Sequence, residues 1–88
     1  MPSRRPALPP VPAGEAIVLL TFESGQDTYA ELFTALHPAT GTPLRILARR
    51  ITDQTGVPVN ELAGRRFAVA ALSDADADGF TLLDDPRL

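Results

Sequence analysis

Five of the nine prolines fall within the first fourteen residues, MPSRRPALPPVPAG, and this placement decides where a core can form. Proline fixes φ and has no amide to donate, so such a stretch joins neither a helix interior nor a central strand. Residues 1–14 are therefore expected to be a disordered arm sampling polyproline II. About 70 residues remain, enough for one small domain over 15–88 with a thin margin of stability.

The rest of the chain is rich in Ala, Leu, Ile and Val, as a globular fold requires. The absence of cysteine excludes a disulfide framework, a thiolate metal site, an iron–sulfur cluster and a cysteine nucleophile. The longest apolar run, AIVLL at 16–20, is far too short for a membrane span, and no apolar segment follows the amino-terminal charges as in a secretory signal. A soluble, cytoplasmic protein is expected, with no membrane partner. All eight basic residues are Arg, a usage that fits a GC-rich bacterial genome, and the net charge of −3 gives no overall attraction for nucleic acid.

Residues 15–23, EAIVLLTFE, form a dense β-branched and aliphatic run closed by Ser24, Gly25, Gln26 and Asp27, which is a strand followed by turn chemistry. Thr28 and Glu31 could make a helical capping box, but Tyr29, Phe33 and Thr34 favour a strand, and residues 28–36 are read as one. Thr42 as N-cap, Pro43 at the first helical position, a stripe of Leu44, Leu47, Ala48 and Ile51, and Gly56 beyond the end predict a helix over 42–56. Residues 57–64 form a connector anchored by Leu62. Residues 65–72, with Phe67, Val69 and Ala71 alternating, and residues 79–83 complete the set as strands.

This order predicts an α+β fold, a single two-layer domain in which one helix covers a four-stranded sheet. Its core would draw on Ile17, Leu19, Phe33, Leu44, Leu47, Ile51, Phe67, Val69 and Leu82. Were residues 43–52 a strand instead, a small OB-like β-barrel would be the alternative, its five aromatics offering stacking faces.

Two local stretches, ITDQTGVP at 51–58 and ADGFTLLD at 77–84, resemble the ubiquitin-like β-grasp superfamily. The first is similar to the end of that family's helix, and the second to its glycine turn followed by a Thr-Leu pair and an acid. Arg87 and Leu88 stand where conjugating members carry Gly-Gly, so the resemblance implies a non-conjugating β-grasp module that works by protein contact. It implies no catalytic residue.

Four features could carry chemistry. In SDADADGFTLLDDP, residues 73–86, Asp74, Asp76, Asp78, Gly79 and Asp85 fall at the first, third, fifth, sixth and twelfth positions of a calcium loop. The ninth position is Leu82, the last ligand is Asp instead of Glu, and Pro86 bars an exiting helix. The competing reading is a hairpin with Asp78 and Gly79 in the turn and the acids solvating its tip. Arg45, Arg49, Arg50, Arg65 and Arg66 form a basic cluster for an acidic protein, for the Asp-rich hairpin of another copy, or for nucleic acid; alternatively they are a solvated face pairing with Asp53 and Glu61. RITDQTGVPVNELAGRR has helix-turn-helix spacing, but Pro58 and Gly64 cut the second helix too short to fill a groove. His37, the one histidine, precedes Pro38 in a loop with no acid nearby in sequence, which is a surface residue more often than a catalyst.

No phosphate loop or nucleophile elbow is present, and no enzymatic activity is expected. The chain reads as a small protein-interaction module, acting through a sheet edge or the Arg-bearing helix with the Pro-rich arm as tether. Self-association, nucleic-acid binding by the Arg cluster and weak calcium binding by the Asp hairpin are the alternatives. The segment RPALPPVP also has the character of a ligand for a polyproline-reading domain, although Arg5 stands one residue further from Leu8 than the usual spacing.

Overall fold

The computed structural model describes residues 11–83. Of the arm expected to be disordered, 1–14, residues 1–10 lie outside them, as does the last proposed calcium ligand, Asp85, while 11–14 include a turn in which the Glu15 N–H bonds the Pro12 carbonyl at 3.1 Å and the Gly14 carbonyl accepts from the Val69 N–H at 2.7 Å. Five strands, β1 (Glu15–Ser24), β2 (Asp27–Thr34), β3 (Leu44–Leu47), β4 (Arg66–Leu72) and β5 (Ala77–Leu82), form one antiparallel sheet in the order β3-β2-β1-β4-β5. A single helix, α1 (Ala48–Thr55), follows β3, and a 3-10 turn (Val59–Glu61) leads towards β4. The sheet is curled into a half-barrel, and α1 packs on β5, β2 and β3.

β1 and β2 make a two-residue hairpin in which Gly25 supplies φ 64° and Ser24 pairs with Asp27. A glycine at the first central position is what a type II′ turn needs, and its twist matches that of the strands. The register of β1 slips once between Val18 and Leu20, a β-bulge that leaves Leu19 and Leu20 both exposed.

The sheet has five strands where four were expected, because the first part of the predicted helix is β3. Leu44 and Ile46 point into the core and Arg45 and Leu47 away from it, a period of two that pairs with β2. Leu44, Leu47, Ala48 and Ile51 also have helical spacing, so local pattern alone favoured a helix; pairing with β2 overrides it. The helix therefore starts at Ala48 without a side-chain cap, and Thr42 and Pro43 precede a strand. Its end is as expected: Gly56 is left-handed and its N–H donates to the Thr52 carbonyl at 2.8 Å.

Phe67, Leu32, Ile51, Leu62 and Val18 are the largest fully buried apolar side chains, and Phe67 meets Phe80 edge-to-face with centroids 6.1 Å apart. Leu44, Ile51, Phe67 and Val69 are in the core as expected, with Leu47 and Leu82 half-buried. Ile17, Leu19 and Phe33 are not: the pleat turns Ile17 and Phe33 together onto the outer face, and Leu19 sits in the bulge. The β4–β5 turn also differs from expectation. It closes at Ser73 and Asp76, whose N–H and carbonyl bond at 2.8 Å, so Asp78 and Gly79 lie inside β5. Gly79 is needed there because its φ is 74° and a Cβ would come within 2.6 Å of the Ala70 Cβ.

Candidate functional site

The outer face of β1–β2–β3 collects the aromatic residues that the core does not use. Phe22 and Tyr29 are cross-strand partners and stack with centroids 5.7 Å apart at 25°. Phe33 sits opposite Ile17 on the same face, and Leu20 opposite Glu31. On β3, Arg45 opposes Glu31, places its guanidinium carbon 4.9 Å from the Phe22 ring centre, and pairs with the Glu31 carboxylate at 3.3 Å. The result is a half-exposed aromatic and aliphatic surface with one stacked cation. Such a surface takes flat or ring-bearing groups by dispersion and cation–π contact.

Its charge leans negative. By strand alternation the face carries Glu15, Asp27 and Glu31 against Arg45 and Arg66, three carboxylates to two guanidinium groups. Arg66 pairs with Glu15 at 2.8 Å, as Arg45 does with Glu31. Asp27 and Glu31 lie two residues either side of Tyr29, so all three project from one side of β2.

The five arginines of the proposed basic cluster have separate settings. Arg45 is on the outer sheet face, Arg49 is exposed on α1, and Arg50 on α1 reaches the β4–β5 turn, where it pairs with Asp76 and donates to the Ala77 carbonyl at 3.0 Å. Arg65 bonds Glu61 in the connector, and Arg66 lies on β4.

Arg50 and Gln54, one helical turn apart, together dress the edge of β5. Gln54 Oε1 accepts the Phe80 N–H at 2.7 Å, and Gln54 Nε2 donates to the Asp78 carboxylate at 2.6 Å. Backbone groups that an edge strand would offer a partner are here bonded by helix side chains. Strand addition at β5 is thereby opposed. The other edge, β3, is four residues long and follows Pro43, which blunts it in the usual way.

Of the acids proposed as calcium ligands, Asp76 faces Arg50, Asp78 faces Gln54 and the Gly79 N–H, and Asp74 offers its carbonyl to His37. Among the described residues no group of three or more His, Cys, Asp or Glu side chains is arranged to hold a metal ion. The Gln54 amide first, and the Gly79 N–H second, hold the Asp78 carboxyl below its usual value of 3.8. A depressed carboxyl contributes stability that is present above the unfolded value and lost as pH falls through the lowered one. We therefore expect the Phe80 amide, which shares Gln54, to lose exchange protection on acidification below pH 3.8, and the Gln54→Ala variant to show that loss already at neutral pH. Equal protection at Phe80 in the two proteins would sink this account of the edge.

His37 is buried, not a surface residue. Its Nε2 lies 2.6 Å from the Asp74 carbonyl, which only accepts, so Nε2 carries the proton. Nδ1 then accepts from the Thr34 hydroxyl at 2.8 Å, and that oxygen in turn accepts the Leu36 and His37 N–H groups, each at 3.0 Å. The imidazole thus ties the β2–β3 loop to the β4–β5 turn, and every ring atom able to bond is used inside the fold. This is a structural role.

Sequence reasoning placed the arginines and acids in view but missed the Phe22, Tyr29, Phe33 and Arg45 face. Period-two alternation in residues 27–34 was the available signal; in β1 the bulge breaks it.

No family model matches the chain, and no curated protein or solved structure matches it either.

Proposed function

We propose that this chain is a non-catalytic peptide-binding module, built as a partly open OB-like barrel, that uses the outer face of β1–β2–β3 as its platform. A five-stranded, partly open barrel with a ligand face on its early strands is the OB arrangement. The strand order, with α1 packed on β5, β2 and β3, supports that reading. The observation that carries the function is the Phe22–Tyr29 stack flanked by Asp27 and Glu31. Aromatic rings with adjacent carboxylates suit an extended segment that alternates proline rings with arginine, because polyproline II is already ordered and loses little entropy on docking.

Charge decides against the other extended ligand. Single-stranded nucleic acid would also stack on Phe22, Tyr29 and Phe33, but most of its affinity comes from cations placed on phosphates. Here both arginines of the face are paired and the face is net negative.

The test is an amide-resolved NMR titration with a proline-rich peptide carrying two arginines, beside an oligothymidine. The peptide is expected to shift Phe22, Tyr29, Phe33 and Arg45 in a saturable way, and Asp27→Asn with Tyr29→Ala to abolish the shifts. Peptide-insensitive signals, or shifts driven by the oligothymidine with a steep salt dependence, overturn the reading.

A further inference from the structure

We infer that the Phe22 ring and the Glu31 carboxylate form a guanidinium subsite that Arg45 fills in the free protein, and that an arginine of the partner peptide takes the place of Arg45 there. This rests on the peptide-binding reading and names the ligand group that the face selects.

The path of one side chain carries the argument. Arg45 stands on β3, the edge strand, whereas Phe22 stands on β1, with β2 between them. Neighbouring strands lie about 4.8 Å apart, so about 10 Å separates the two strand axes. The Arg45 guanidinium carbon is nevertheless 4.9 Å from the Phe22 ring centre, so its side chain runs across β2 on the outer face. On the way it passes Glu31, its direct cross-strand partner, and donates to the Glu31 carboxylate at 3.3 Å. The resident cation thus lies as a bar over the ground that a ligand would use.

The bar is held weakly and its seat firmly. The Arg45 side chain is 60% exposed, and an exposed ion pair and an exposed ring contact each hold a long side chain only lightly. Glu31, by contrast, is 21% exposed and sits in mid-strand between Leu20 on β1 and Arg45 on β3, while Phe22 is braced by its stack on Tyr29. A seat built before the ligand arrives costs little ordering on binding. Exchanging one guanidinium for another keeps Glu31 paired, so the ligand has only the light hold on Arg45 to overcome. The seat also selects arginine over lysine: a flat guanidinium stacks on a ring while its N–H fork reaches a carboxylate, whereas an ammonium is a compact, strongly hydrated point charge. Asp27, two residues from Tyr29 on the same side of β2, is exposed and in no ion pair among the described residues, so it offers a second anion beside the stack.

The test titrates a proline-rich peptide carrying two arginines into full-length wild type, Arg45→Gln and Arg66→Gln, followed by NMR. Arg66→Gln removes the same charge from the same face away from the stack, so it reports general attraction alone. Arg45→Gln is expected to bind about three- to tenfold more tightly than wild type, with a smaller gain for Arg66→Gln. A peptide with lysine in place of arginine should lose this advantage. In the wild type the Arg45 Hδ protons, shifted upfield by the Phe22 ring, should return towards their ordinary position as the peptide saturates the face. Equal or weaker binding by Arg45→Gln overturns the inference, as does an equal gain for Arg66→Gln or for the lysine peptide, or an Arg45 signal that keeps its upfield position at saturation. If the wild type binds the peptide on this face with any of those results, the subsite inference falls and the peptide-binding reading stands. If neither the wild type nor Arg45→Gln binds, both fall.

Discussion

Phe67→Ala is expected to leave the domain largely unfolded at physiological temperature. Phe67 is fully buried, opposes Ala16 on the central strand and Leu82 on β5, and meets Phe80 edge-to-face. Removing such a ring costs about 3–5 kcal/mol, because the lost transfer energy is joined by a cavity that neighbours fill only in part. A domain of about 70 residues sits near the low end of the usual range of about 5–15 kcal/mol. One truncation therefore consumes most of its stability. Urea unfolding followed by circular dichroism would show this as a large fall in midpoint, and Phe67→Leu, which keeps most of the volume, should lose under about 2 kcal/mol. A loss under about 1 kcal/mol for the alanine variant would mean that the two-phenylalanine core is not where the stability resides.

Thr34→Val should be the second most damaging change, although it retains shape and β-propensity. The hydroxyl of Thr34 accepts from two backbone N–H groups and donates to His37 Nδ1, and Thr34 is fully buried. Valine leaves the imidazole nitrogen without a partner and takes the hydroxyl from the Leu36 amide, while the His37 N–H keeps the Thr34 backbone carbonyl at 3.0 Å, so the cost is about 1–3 kcal/mol for the buried ring nitrogen and less for the half-buried amide. We expect a net loss of about 2 kcal/mol, since the loop relaxes in part. The double variant with His37→Ala should lose much less than the sum of the two single changes, because both remove the same network. Strict additivity would show that Thr34 and His37 act independently.

Much of this architecture was legible from local pattern. The β1 run, the Ser24–Asp27 turn, the choice of strand for residues 28–36, the Gly56 helix end and the burial of Leu62 all follow from short-range rules about φ, capping and alternation. β3 was not legible, since Leu44, Leu47 and Ile51 satisfy a helical period while Leu44 and Ile46 satisfy a strand period, and only the free side of β2 distinguishes them. Asp78 and Gly79 have the chemistry of a turn, yet the turn forms at Ser73 and Asp76, because the pairing of Phe80 with Val69 and Leu82 with Phe67 sets the register first.

The candidate site follows the same division. Composition alone fixed the arginine-only basic set, the absence of thiol chemistry and the proline-rich amino-terminal segment, since each is a matter of which groups the chain possesses. Which side of a strand a residue faces depends on register, and the bulge at Leu19 resets it halfway along β1. Partners far apart in sequence, Arg50 with Asp76, Gln54 with Phe80 and His37 with Asp74, meet because the sheet curls around α1. The sequence by itself determined which chemistry is available; tertiary structure alone decided that the acids serve the helix and the turn, and that the aromatic rings face outward, because curvature and register are properties of five strands together.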